Sequence, residues 1–178
     1  MLSGYKLGDP FDASTNVGPV VSKRSMTTIQ EHIKDAIDKG AKNATPQNAS
    51  FESPPAGGNY VAPTLLTNVD HQMMVMRDET FGPVIPVMKV KDDEEAIKLM
   101  NDSEFGLTAS IWTKDSAKGD ELADDVEAGT VFVNRCDFPS PDLAWVGWKN
   151  SGKGQTLSKF GFDQFSKLKS YHIKAYPK

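Results

Sequence analysis

The chain has 178 residues, 20 Lys+Arg against 24 Asp+Glu and a formal charge of −4, a length that suits one domain with an appendage. Its 38% hydrophobic and 25% charged residues compose a globular rather than a disordered protein, and an acidic balance without a Lys/Arg run excludes nucleic acid or an anionic membrane as the main partner. One cysteine excludes a disulfide framework or a multi-Cys metal site, no apolar run approaches the roughly 18 residues of a membrane span, and MLSGYKLGDP lacks the features of a signal peptide, so the sequence reads as soluble and cytoplasmic.

Met1 to Pro19 carries Gly4, Gly8, Pro10, Gly18 and Pro19 and reads as irregular surface chain. A helix fits Ser22 to Lys39, where Met26, Ile29, Ile33 and Ile37 share one face and Gly40 stands at the position of a left-handed cap. Residues 43–59 form a polar loop rich in Pro, Gly, Ser and Asn. Within it Asn43-Ala44-Thr45 and Asn48-Ala49-Ser50 match the glycosylation acceptor pattern; without a secretory signal they read as loop composition.

Val84 to Val90 reads as a strand that Pro86 demotes to an edge or a bulge. Asp92 to Asn101 reads as a helix, with Asp92 as cap and Glu95 completing a capping box. Thr108 to Thr113 is a second strand, and Asp115 to Glu127 a second helix weakened by Gly119 and closed by Gly129. Thr130 to Asn134 is a third strand. This alternation predicts an α/β fold with parallel strands and right-handed crossovers. Lys167 to Tyr176 reads as a last strand, whose charged alternation suits a sheet edge or a subunit contact.

Most of the chemistry tested against the sequence fails. Gly147 to Gly154 nearly spells a phosphate-binding P-loop, but Gly154 has no hydroxyl for Mg²⁺ and the preceding residues look like loop. His32, His71 and His172 show no metal-ligand spacing and read as surface or satisfied structural histidines. Cys136 has no local partner histidine and reads as a small apolar residue. Asp92 to Glu95 is most simply a dipole-favoured helix N-terminus. What remains is Asp78-Glu79-Thr80-Phe81-Gly82-Pro83-Val84. Its plainest reading is a turn with exposed acids. Chemically, one carboxylate can accept two hydrogen bonds from the vicinal hydroxyls of a ribose while a ring packs on a flat heterocycle, so the same residues form a candidate cofactor platform.

Glu79 to Val84 (ETFGPV) resembles the E-x-F-G-P block of the NAD(P)-dependent aldehyde dehydrogenase superfamily. Other landmarks follow in the matching order. They include Gly8-Asp9-Pro10, Gly18-Pro19, Tyr60 to Thr64, Asn101-Asp102-Ser103, Phe105 to Ser110, Ala128 to Asn134 and Lys149 to Gly154. The ordered succession, from Gly8 to about Lys174, is what makes the resemblance specific.

The resemblance implies oxidation of a small-molecule aldehyde to a carboxylic acid with NAD or NADP. It places Glu79 on the nicotinamide ribose, Phe81 beside the nicotinamide, and Trp145, with Cys136 nearby, in the substrate tunnel. It implies a three-layer parallel-sheet portion of the catalytic domain over 1–166 and an oligomerisation strand with a tail over 167–178. The family's G-Q-x-C nucleophile block and E-L-G-G base block do not occur in the sequence. No residue here is therefore expected to be the catalytic nucleophile or base, Cys136 included. Departures from the family pattern, Arg135 to Trp145 and Gln155 to Ser158 among them, leave the aldehyde unreadable. Arg135 can attract an anionic substrate tail or pair with Asp137; the second is preferred.

Two functions follow. The chain is part of an aldehyde dehydrogenase and inactive alone, or it is an interaction module of that fold that binds a second copy or a missing N-terminal domain. In either case Met73, Met74 and Met76 are expected to lie uncovered, leaving the chain marginally stable or oligomeric.

Overall fold

A computed structural model describes residues 2–46, 51, 57–136 and 138–177. The acceptor pattern at Asn48 to Ser50 and the expected Arg135 partner, Asp137, lie outside them. The chain forms two units, Met1–Lys89 and Val90–Lys178.

In the first unit, α1 (Lys23–Asp38) begins where the Ser22 hydroxyl accepts the Ser25 N–H at 3.0 Å. It ends in a Schellman turn: the Gly40 N–H reaches the Ile37 carbonyl, and the Ala41 N–H reaches Ala36. Gly40 stands at φ +103, a conformation in which any Cβ is strained. The buried face is Ile29, His32 and Ala36. Ile37, expected on that face, is exposed instead. The helix is turned so that the small Ala36 enters the core with Ala41, Leu66, Val69, Met73 and Val75, and the three-four spacing alone does not select between adjacent faces.

Against α1 lies a three-stranded sheet. Strand β1 (Lys42–Asn43) runs antiparallel to β2 (Thr64–Thr67), and β2 pairs in parallel with β3 (Val84–Val87). Pro86 pairs opposite Leu66 on the outer strand of that sheet, where a residue without an N–H is tolerated. The short helix α2 (Met74–Arg77) returns the chain to α1. Met73 is 1% exposed and belongs to the core, and Met76 packs against it. The expectation of an uncovered methionine patch is therefore wrong: Met73 lies in one core cluster with Ala36 of α1, Leu66 of β2, Val69 and Val75, and Met76 packs against that cluster.

The second unit opens with α3 (Asp93–Asn101), capped by Asp92, whose carboxylate accepts the Glu95 N–H at 2.9 Å. Glu95 reaches back to the N–H of Lys91 at 2.8 Å, one residue before the usual capping-box position. Strand β4 (Phe105–Gly106) is followed by β5 (Thr108–Ile111), then α4 (Ser116–Asp124) and β6 (Thr130–Val133), and β5 and β6 pair in parallel. The expected strand–helix–strand unit is thus present between β5 and β6. The parallel partner of β3 is β2, a strand the hydropathy pattern did not reveal. Gly119 is buried inside α4, where a Cβ would come within 2.8 Å of Val133 and 2.9 Å of Thr113. Its role is close helix–strand packing.

Strand β7 (Trp145–Val146) pairs antiparallel with β9 (Gln155–Thr156), and β8 (Trp148–Lys149) with β4. A 3-10 segment, Lys159–Phe165, follows. The last strand expected over Lys167 to Tyr176 does not form within this chain; residues 166–177 carry neither helix nor strand. Leu168, Tyr171, Ile173 and Tyr176 are all more than two-thirds exposed, and a strand requires a neighbouring edge to take its N–H and C=O groups.

Candidate cofactor-binding loop and tunnel segment

The 78–83 loop leaves α2 and enters β3, and α1 holds both the chain leading into it and the loop itself. Asp35 accepts the Met74 N–H at 2.8 Å and pairs with Lys39 at 2.8 Å, while the Lys39 ammonium also donates to the Gln72 carbonyl at 2.7 Å. These contacts, the Lys39 bond first and the Met74 N–H second, hold the Asp35 carboxyl below its usual range. Farther along, His32 Nδ1 and Thr80 Oγ1 are hydrogen-bonded at 3.0 Å. Gly82 abuts Ile29 so closely that a Cβ would fall 2.4 Å from its Cδ1. The Pro83 carbonyl then accepts the Thr64 N–H at 2.9 Å and joins the loop to the sheet.

Between these inward anchors the chain turns Glu79 and Phe81 outward. Both are exposed, Phe81 by 80%, and Phe81 sits at φ +47. A non-glycine residue in that region costs about 1–3 kcal/mol and persists only where its surroundings over-determine it. A carboxylate and a bare ring two residues apart, on a loop fixed from behind, fit a ribose hydroxyl pair and a flat heterocycle.

The second unit carries the other predicted residues. Asn134 closes β6 at φ +54; its N–H donates to the Ile111 carbonyl and its side chain accepts the Thr113 N–H, each at 2.8 Å. Beyond it the Ser110 hydroxyl donates to the Arg135 carbonyl. The Arg135 guanidinium stacks 3.8 Å above the Phe138 ring, a cation–π contact. Cys136 is exposed, and Trp145 is half-buried on β7 opposite Thr156. Glu79 and Phe81 therefore share one loop of the first unit, while Cys136 and Trp145 both belong to the second, on separate segments.

The Gly147 to Gly154 stretch lies among the short strands β7, β8 and β9, not between a strand and a helix, so the P-loop reading has no structural context. Its residues staple the unit instead. Lys149 Nζ donates to the Asn101 and Ser103 carbonyls at 2.7 and 3.1 Å and pairs with Glu127 at 2.7 Å; the Ser151 hydroxyl accepts the Gly106 N–H at 2.9 Å. Among the described residues no group of three His, Cys, Asp or Glu is placed to hold a metal, and no helix is long and apolar enough to cross a membrane.

Sequence reasoning missed His32 as part of this site. Its one signal was a polar residue at helical spacing inside an apolar stripe, and its partner lies 48 residues away.

Residues 1–171 match the aldehyde dehydrogenase family. An aldehyde dehydrogenase of Paenarthrobacter nicotinovorans is 40% identical over 92% of this chain and 35% of its own length. The NADP-dependent succinate-semialdehyde dehydrogenase of Deinococcus radiodurans is 35% identical over 99% of this chain and 36% of its own. Among solved structures, a point mutant of betaine aldehyde dehydrogenase of Staphylococcus aureus in complex with NAD⁺ superimposes with a TM-score of 0.80 at 32% identity, covering 92% of this chain and 33% of that one. A point mutant of aldehyde dehydrogenase from Bacillus cereus gives 0.84 at 31% identity, over 95% and 34%. The chain spans about a third of the length of the curated relatives it matches. With the ordered landmarks, the parallel α/β fold and these matches in agreement, the chain belongs to the aldehyde dehydrogenase family.

Proposed function

We propose that this chain supplies the nicotinamide-side cofactor contacts and part of the substrate tunnel of an NAD(P)⁺-dependent aldehyde oxidation, and that it does not turn over aldehyde by itself. The observation that carries the reading is the outward pair Glu79 and Phe81 on a loop pinned by α1. Glu79 accepts the ribose hydroxyls and fixes the sugar. Phe81 covers one face of the nicotinamide and keeps water from it. Trp145 and Cys136 line the aldehyde's approach. The nicotinamide, when bound, supplies the hydride acceptor. Neither the G-Q-x-C nor the E-L-G-G block is in the sequence, so the thiolate attack and the activation of water that complete such an oxidation have no residues here to perform them.

The test is absorbance-monitored nicotinamide reduction with the purified chain and a panel of small aldehydes, beside a Cys136→Ser variant. No turnover in either protein is expected. Turnover lost on Cys136→Ser would make Cys136 a nucleophile and overturn the assignment.

A second reading is favoured by the exposed apolar residues of the 166–177 segment. In it the segment is a strand waiting for a partner, and the chain associates through it with a second copy or with an N-terminal domain, without catalysis.

A further inference from the structure

We propose that His32 is a positioning residue for the cofactor loop: its hydrogen bond to Thr80 holds Glu79 and Phe81 in the presented conformation. The inference rests on the cofactor reading of those two residues. His32 is 3% exposed and satisfied within the protein fold by Thr80, which stands between the two exposed side chains. Thr80 is half-buried and bonded inward to α1, whereas Glu79 and Phe81 on either side of it are exposed. The anchors on either side cannot do this alone. Asp35 and Lys39 act on Met74 and Gln72, before the loop, and Ile29 acts on Gly82, after it. His32–Thr80 is the side-chain hydrogen bond between them, next to the strained φ of Phe81. Without it, Thr80 is free to turn and Phe81 relaxes to negative φ, carrying its ring away from the presented position.

Backbone ¹⁵N order parameters across Glu79 to Gly82 in the intact chain test the proposal without any cofactor. Thr80→Val keeps the shape and removes the hydroxyl; Thr80→Ser restores it; His32→Leu removes the other partner. The order parameters of the loop are expected to fall from about 0.85, the value of rigid backbone, to about 0.6 in Thr80→Val and His32→Leu. They should return to the original values in Thr80→Ser, while those of α1 stay unchanged in Thr80→Val. The double variant should add nothing to either single one. Unchanged loop order parameters in Thr80→Val overturn the proposal, and that variant decides the matter if His32→Leu does not fold.

Titration with nicotinamide mononucleotide, followed at the Glu79 and Phe81 amides, separates this idea from the cofactor reading. Shifts in the parent protein that weaken in Thr80→Val and recover in Thr80→Ser support both. No shifts in the parent protein count against the cofactor reading, while the order parameters still decide the role of His32.

Discussion

Asp35 accepts the backbone N–H of Met74 at 2.8 Å across 39 residues of chain, fastening the last turn of α1 to the start of α2. The same carboxylate pairs with Lys39, which itself holds the Gln72 carbonyl. One acid and one base at the end of α1 thus organise the approach to the 78–83 loop.

The Asp35 carboxyl is held below its usual range by Lys39 and by the Met74 N–H. The unfolded chain therefore takes up a proton at that site before the folded one does. The stabilisation is complete above about pH 4, the ordinary carboxylate value, and is lost as pH falls through the lower folded value. Asp35→Asn should flatten the acid limb of the melting temperature against pH. Asp12, also held low by its hydrogen bond to Lys6, stays in both proteins and cancels. Parallel acid limbs would show that Asp35 has no part in acid sensitivity.

Gly119→Ala sets two effects against each other. Helix propensity favours alanine by about 1 kcal/mol. The new methyl, however, would come within 2.8 Å of Val133 and 2.9 Å of Thr113, and overpacking of this kind costs typically about 1–3 kcal/mol. A net loss of about 1 kcal/mol in urea unfolding is expected. A gain in stability would mean that α4 can lift from β6 without cost.

Phe81 buries little and holds a strained φ. Phe81→Gly removes strain worth about 1–3 kcal/mol and adds about 0.5–1 kcal/mol of unfolded-state entropy. Stability should stay level or rise by about 1 kcal/mol, while any nicotinamide mononucleotide shift at Glu79 weakens. A stability loss above about 1 kcal/mol would show that the ring packs on the protein.

Deletion of residues 167–178 tests the association reading. Leu168, Tyr171, Ile173 and Tyr176 are exposed in the single chain, and a segment that pairs with a second copy should bring the parent protein down as a dimer or larger in sedimentation velocity. The shortened chain should sediment as a monomer. Equal sedimentation of the two would remove the tail from the interface.

Local features of this protein were legible in its sequence because short-range physics decides them. Asp92 caps α3 as its sequence predicts, and Ser22 and Asp115, at the starts of the other two predicted helices, cap theirs in the same way, since a side-chain oxygen needs only a backbone N–H three residues on. Gly40 closes α1 because a φ of +103 is open to glycine and strained for other residues. The ordered motifs, ETFGPV foremost, pointed to the family and to Glu79 and Phe81.

What tertiary structure decided was partnership at long range. Strand β2 is four residues long with two apolar side chains, too short to show a period, and exists because β1 and β3 close on it. The buried face of α1 runs through His32 and Ala36 rather than Ile37, a choice made by the sheet beneath it. The methionines before and within α2 looked exposed until α1 covered them, and the 167–176 segment looked like a strand but finds no edge within its own chain. His32 and Thr80 stand 48 residues apart. Helical spacing could place the histidine on an apolar face, but only the folded backbone could bring it the hydroxyl that holds the loop.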